Sequence, residues 1–365
     1  MKEIGSEYWI ERIEGKEFNG SQIPSWLNIG NANEYLLSGR TAIDLVLKDI
    51  LYNKKVCTVY FPSYCCQSML QPFIDNDIHI EIYNVYNTNN GLKFDIDVDQ
   101  KCDIFFAMNY FGYSDGRMDY YIEKFKSREV IIIEDITHSL LSSNSYNNNS
   151  DYRVASLRKW FPVISGGLAA KADGSFNIKV SKNTLDEMIT VRKNAMLDKA
   201  RYINGDTTVK KEDFLQKYSV ANKMLNENYS LYKIDDDSLQ ILNEINIPKM
   251  VKVRRKNAQI IHDFINKTNE IKPMFPILSE DDCPIFIPVL LDKNIRNHLR
   301  EHLIKHKIYY PIHWPKPEIV KHDPTCISIY DIELSLICDQ RYDVYNIKDS
   351  VNEIKRFFKE FSYGK

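Results

Sequence analysis

The stretch "EVIIIEDITH" (129–138) decides how the chain is read. Its apolar core, Val130 to Ile133, is rich in β-branched residues. It stops on Glu134 and Asp135, and His138 follows three residues later. A short apolar run of this kind reads as a strand buried on both faces. Working outward, "CTVYFPS" (57–63), "IHIEIYNV" (78–85) and "CDIFFAMNY" (102–110) have the same character and read as further strands. Between them "TAIDLVLKDILYN" (41–53), "CQSMLQPFIDN" (66–76) and "MDYYIEKFKSR" (118–128) read as helices. Strands alternating with helices predict an α/β fold with a mostly parallel central sheet sandwiched by helices. "SNSYNNNSDY" (143–152) is polar and reads as a loop. From about 180 to 265 the pattern is mostly helical, most clearly over "RRKNAQIIHDFINK" (254–267). The last part is a different unit. It comprises a strand over 283–291, an amphipathic helix over 294–307, a short strand or turn over 308–315 and a closing helix, "SVNEIKRFFKEF". These shifts predict an N-terminal arm over 1–30, a large domain over 31–250 and a smaller C-terminal α+β domain over 251–365.

A chain of 365 residues, 44% of them hydrophobic, can bury a sizeable core. Its net charge of -2 leaves no basic stripe for a nucleic acid and no polybasic arm for a membrane surface. No apolar run approaches the ~20 residues of a membrane helix. The start, "MKEIGSEYWIERIEGKEF", is charged and aromatic, unlike a secretion signal. Seven cysteines without a C-x-x-C pair read as free thiols in a reducing compartment, so a cytoplasmic protein is expected.

In a parallel α/β sheet, ligands bind beyond the carboxyl ends of the strands. Asp135 ends one apolar strand and Asn109 another; Pro62 and Ser63 end a third. Gly39, Arg40 and Thr41, in "SGRTA", stand where a helix begins, and a helix N-terminus is a ready phosphate cradle. These pieces suit a cofactor with a phosphate at one end and a group wanting a buried carboxylate at the other. Pyridoxal phosphate fits that description. Its phosphate would take the amides of 40–42, its ring nitrogen would pair with Asp135, and its aldehyde would join Lys159 in "SLRKWFPVISGG" (156–167). Plainer readings stand beside these. Asp135 could cap a following turn, His138 could be a core histidine, "SGRTA" could be a capped turn, and Gly166 and Gly167 could serve packing alone.

The order of these motifs resembles the DegT/DnrJ-type sugar aminotransferases, fold type I pyridoxal-phosphate enzymes, over about residues 30 to 350. The motifs are "SGRTA" before the first core helix, "FPSYCC" after the next strand, "NYFG", "EDITH", and a Lys followed seven residues later by Gly-Gly in "KWFPVISGG". "IYYPIHWP" and "LSLICDQRY" add matches in the C-terminal part. The resemblance implies Lys159 as the Schiff-base lysine, Asp135 as the ring-nitrogen partner, His138 near the ring hydroxyl, and the 39–42 turn on the phosphate. It implies an aminotransferase that passes an amino group from an amino acid such as glutamate to a nucleotide-linked keto-sugar for surface polysaccharide. It also implies a homodimer with active sites at the subunit interface. His313, Trp314 and Arg341 are expected on the substrate side, and Asn109 beside the cofactor.

This sequence departs from the family pattern in places. Cys66 stands where an aromatic usually stacks on the cofactor ring, leaving Tyr64 as the substitute. Val154 stands where a phosphate-binding Ser is expected, leaving Ser156 as the nearest hydroxyl. "LYKIDDDSLQIL" (231–242), with Arg192 to Asn194, occupies the place of the segment lent by the neighbouring subunit. The chain therefore reads as a divergent member. A dehydratase or lyase on the same cofactor, and a catalytically silent protein serving as a binding or regulatory partner, are the alternatives.

His298, His302 and His306 recur every four residues and share one helix face. No carboxylate or cysteine cluster accompanies them in sequence, and the pattern is not H-E-x-x-H, so they read as a polar face and no metal is expected. Cys65 and Cys66 read as a buried loop.

Overall fold

The computed structural model describes residues 3–10, 23–321 and 329–363. Part of the expected N-terminal arm, and Cys326, lie outside the described residues. In chain order the first half comprises β1 (Ile4–Gly5), β2 (Ala32–Leu36), α1 (Gly39–Asn53), β3 (Thr58–Pro62), α2 (Gln67–Asp75), β4 (His79–Thr88) and β5 (Gly91–Asp95). It continues with β6 (Ile104–Met108), α3 (Asp119–Lys126), β7 (Ile131–Asp135), β8 (Tyr152–Ser156) and β9 (Gly167–Lys171). Four helices follow: α4 (Asp186–Ile203), α5 (Lys211–Glu227), α6 (Asp236–Glu244) and α7 (Ile247–Ile265). The rest is β10 (Lys272–Pro273), β11 (Ile287–Leu290), α8 (Lys293–Lys305), β12 (Ile308–Tyr309), α9 (Glu318–Lys321), β13 (Glu333–Leu336) and α10 (Val344–Tyr363).

Eight strands form one sheet in the order β2-β9-β8-β7-β6-β3-β4-β5. The run from β4 through β3, β6 and β7 to β8 is parallel, and β5, β9 and β2 join antiparallel at the two ends. The expected mostly parallel α/β sheet is therefore present. Every residue of β6 is buried, as are Ile132 to Asp135 of β7, because helices cover both faces. Register sets Met108 opposite Asp135 and Asp135 opposite Val154, which aligns three strand ends. A three-stranded antiparallel sheet, β10-β11-β13, organises the C-terminal part.

The structure adds detail at three places. The polar 143–152 stretch ends inside a strand, since β8 starts at Tyr152; pairing with β7 and β9 extends it there. Position 250, the expected domain boundary, falls within the continuous helix α7. The N-terminal Ile4 is buried, because β1 pairs in parallel with β12 over Ile4↔Ile308. Among the described residues no helix is long and apolar enough to cross a membrane.

Candidate active site

Strand alternation explains why the neighbouring carboxylates Glu134 and Asp135 have different surroundings. Glu134 accepts from Asn109 Nδ2 at 2.8 Å, Ser150 Oγ at 2.6 Å and the Asn147 N–H at 2.9 Å. Asp135 is also buried, and its Oδ1 accepts the N–H of Thr137 at 2.8 Å. Burial pushes the Asp135 carboxyl up, and the Thr137 hydrogen bonds and the charge of Lys159 pull it back. Lys159 is thus within electrostatic reach of Asp135.

Lys159 follows β8 in a single 3-10 turn over Leu157–Lys159. The next residue, Trp160, is fully buried; its Nε1 donates to the Thr137 carbonyl at 2.6 Å, and the Arg254 guanidinium lies 4.5 Å from its ring. This anchor fixes where the turn presents Lys159. The ammonium lies 5.4 Å from the centre of the Trp314 indole.

His138 is fully buried. Its Nδ1 accepts the N–H of Phe111 at 3.2 Å, which places the ring proton on Nε2. That Nε2 is shielded from solvent and has no hydrogen-bond partner among the described residues. Burial and then the charge of Lys159 push the imidazole well below its ordinary value and keep it neutral. Trp314 stacks against it, with ring centroids 5.6 Å apart at 22°. His313 is held neutral too: burial and then the Lys159 charge push it down to about 3. Its N–H donates to Glu333 Oε2 at 2.7 Å. The structure thus brings Lys159, Asp135, His138, His313 and Trp314 together.

The N-terminus of α1 meets this cluster. Ser38 caps the helix by accepting the Thr41 N–H at 3.2 Å. Thr41 Oγ1 donates to the Tyr229 carbonyl at 2.7 Å. A Cβ on Gly39 would come within 2.9 Å of the Ser156 Cβ, so the helix end can sit against Ser156 only because residue 39 is glycine. A Cβ on Gly167 would strike the Ser38 carbonyl. Ser156 is fixed in turn, its N–H donating to Thr137 Oγ1 at 3.0 Å. Val154 is buried within β8, which leaves Ser156 as the hydroxyl beside Gly39.

Sequence reasoning named Arg40 and Arg192 but missed that they and Arg158 are collected here. Arg158 carries a buried Nε with no partner among the described residues, as do Arg40 and Arg192, the last of which pairs through Nη2 with Glu7 at 3.0 Å. Burial and then the Arg192 guanidinium, with Arg40 adding to it against the pull of Glu7, push Arg158 down to about 9. Arg40 Nη2 donates to Asn226 Oδ1 at 2.9 Å, and Cys66 lies within its electrostatic reach. Like-charged guanidinia gathered at a helix N-terminus suit an anion. A basic residue preceding Lys159 was the visible signal, but its burial was not.

Three expected residues are engaged elsewhere. Tyr64 is fully buried among Tyr110, Trp314 and Tyr330, and its hydroxyl donates to the His313 carbonyl at 2.6 Å, so its ring is a wall of the core. Asn109 spends its amide on Glu134, and its Oδ1 accepts the Met118 N–H at 3.2 Å. Arg341 pairs with Asp339 at 2.7 Å and lies 4.1 Å from the Tyr8 ring, fastening the N-terminal segment. Cys66 is half-buried, with its Sγ 3.0 Å from Ser68 Oγ.

No protein-family model matches the chain. Among solved structures it is similar to the Helicobacter pylori aminotransferase PseC, involved in pseudoaminic acid biosynthesis, with a TM-score of 0.65 and 12% identity over 99% of this chain and 100% of that one. It is similar to the aminotransferase TlmJ of Streptoalloteichus hindustanus, with a TM-score of 0.63 and 14% identity over 90% and 86% of the two chains. A sugar aminotransferase of Streptococcus pneumoniae, Spr1654, solved in its PLP form, gives a TM-score of 0.61 and 12% identity over 90% and 87%. These likenesses show the fold: that of fold type I pyridoxal-phosphate aminotransferases. Among curated proteins, 237 residues are 22% identical to the zinc metalloprotease ZmpB of Streptococcus pneumoniae. That match covers 61% of this chain, and the chain spans only 12% of ZmpB.

Proposed function

We propose that the chain is a pyridoxal-phosphate-dependent sugar aminotransferase. The single observation that carries this reading is the convergence of Lys159, Asp135 and the unpartnered Nε2–H of His138 beside the capped N-terminus of α1. These residues fit the cofactor. His138 has a buried donor that the chain leaves unused, Gly39 gives close approach, and Arg40 and Arg158 offer donors for a phosphate.

In this reading the Gly39, Arg40 and Thr41 turn, with Ser156 and Arg158, would hold the phosphate, and Asp135 would pair with the ring nitrogen. The Nε2–H of His138 would be the donor for the ring oxygen. When bound, pyridoxal phosphate supplies an electron sink for charge developing at the α-carbon of an amino donor. Lys159 Nζ carries the proton taken from that carbon. Trp314 and His313 close one side and exclude water from the amine. The donor is an amino acid such as glutamate, and the acceptor a nucleotide-linked keto-sugar, feeding surface polysaccharide. The working unit is a cytoplasmic homodimer with residues of both subunits at each site. The solved aminotransferases and the free thiols of the six described cysteines support these parts.

Trp314, stacked on His138 and over Lys159, favours a second reading, in which the fold serves as a catalytically silent binding protein. Absorbance separates the two. Purified protein given pyridoxal phosphate is expected to show a band at about 410–430 nm that moves to shorter wavelength with glutamate. A band that forms but ignores every amino donor supports the silent protein, and no band at all removes the aminotransferase reading.

A further inference from the structure

The histidines of α8 have a partner that their own sequence neighbourhood does not reveal. His302 and His306 lie side by side, with ring centroids 4.5 Å apart. Glu353 of the facing helix α10 enters between them: its Oε2 is 3.4 Å from His302 Nε2 and 3.7 Å from His306 Nε2. His298 turns away, toward Phe361. His302 Nε2 and Glu353 Oε2 are both shielded from solvent, and neither has a hydrogen-bond partner among the described residues. Two buried polar atoms facing each other unsatisfied carry a cost that a bound ion would remove.

The tautomer of His306 is set. Its Nδ1 lies 2.8 Å from the His302 carbonyl, which can only accept, so the neutral ring carries its proton on Nδ1 and keeps its lone pair on Nε2, 3.7 Å from Glu353 Oε2. Two ligands of a tetrahedral zinc ion, each at about 2.0–2.1 Å, sit about 3.3–3.4 Å apart. The His302 edge to Glu353 matches that spacing, the His306 edge at 3.7 Å is slightly longer, and one ligand atom from each of the three residues lies within 4.8 Å of the others, so a small inward shift of the His306 ring completes the site. Phe357 packs 5.6 Å from the His302 ring. The remaining charged neighbour is Arg356. Its Nη2 is 3.2 Å from His306 Nε2, its Nη1 3.5 Å from Glu353 Oε1, and its Nε 3.1 Å from Glu360 Oε1. This half-exposed guanidinium donates to the very lone pair a metal would take. Its Glu360 contact uses Nε, so a metal that displaced Nη2 from His306 would leave that contact in place.

The geometry points to a divalent transition-metal site, zinc in the first place, made by His302, His306 and Glu353, with the remaining coordination taken by water. The ion clasps α8 to α10 and shares no residue with the Lys159 cluster. Two imidazoles and one carboxylate suit zinc or its first-row neighbours over magnesium or calcium, which prefer all-oxygen sites.

The test is isothermal titration of the full chain, stripped with EDTA, with zinc chloride. One equivalent should bind, and the thermal unfolding midpoint should rise with zinc and fall again with EDTA. His302→Ala, His306→Ala and Glu353→Gln should each weaken binding by at least about tenfold. Cobalt(II) should give the visible absorption of a four-coordinate site in the wild type and lose it in the variants. Glu353→Gln keeps the side-chain shape and so separates lost ligation from lost folding. No zinc binding by the wild type, or undiminished binding in all three variants, overturns the proposal.

Discussion

The Lys159 ammonium sits 5.4 Å from the centre of the Trp314 indole, and the same indole stacks on His138. One aromatic side chain from the C-terminal part therefore touches two residues that follow adjacent strands of the main sheet. Cofactor bound at Lys159 would lie beside Trp314. Added pyridoxal phosphate is expected to quench tryptophan fluorescence, and Trp314→Phe is expected to remove part of that quench. Equal quenching in both proteins would place the cofactor elsewhere.

The guanidinia at the α1 terminus give a prediction with an internal control. Charge-assisted hydrogen bonds contribute about 1.5–3 kcal/mol each. Arg158→Met and Arg40→Met are thus expected to weaken pyridoxal phosphate binding by roughly tenfold or more. Binding of pyridoxal, which lacks the phosphate, should be nearly unchanged. Parallel losses for both ligands would mean that the arginines shape the fold instead of holding the phosphate.

Trp160 carries the stability prediction. It is fully buried, bonded to Thr137 and packed under Arg254. Trp160→Ala is expected to cost about 3–5 kcal/mol in urea unfolding. A loss under about 1 kcal/mol would contradict the packing described.

Glu333 and His313 set opposite pH slopes. Glu333 is fully buried, and burial pushes its carboxyl up to about 8. Between its ordinary value of 4.5 and about 8, the folded chain holds a proton that the unfolded chain has released. Stability from this group is complete below 4.5 and declines as pH rises toward about 8. His313 acts in reverse: between 6.5 and about 3 only the unfolded chain takes up the proton, so stability falls as pH drops through that window. Denaturant midpoints followed against pH should show a shallower alkaline decline in Glu333→Gln. An unchanged alkaline limb would contradict the assignment.

The sequence made much of the main sheet legible because β3, β6 and β7 are buried on both faces and so are apolar runs. Asp135 was legible because a carboxylate directly after such a run needs a reason. β8 was hidden. Its Arg153 looks like a loop residue, yet it is buried, donating to the Ile29 carbonyl at 2.7 Å with its guanidinium 4.2 Å from the Tyr146 ring. Tertiary partners, not periodicity, made that segment a strand. The same limit applied to His302 and His306, whose carboxylate partner lies on α10, distant in the chain. The intrachain partners of Tyr64 and Arg341 were hidden for a related reason: residue type suggested a ligand contact, and contacts with His313, Asp339 and Tyr8 could not be read from the sequence.

The central claim is that Lys159 is the residue that carries pyridoxal phosphate. Incubating the purified chain with pyridoxal phosphate, reducing with borohydride and sequencing the peptides by mass spectrometry tests it most directly. The account predicts a single phosphopyridoxyl group on Lys159, within "SLRKWFPVISGG" (156–167). Modification of another lysine in its place, or none above background, would contradict it.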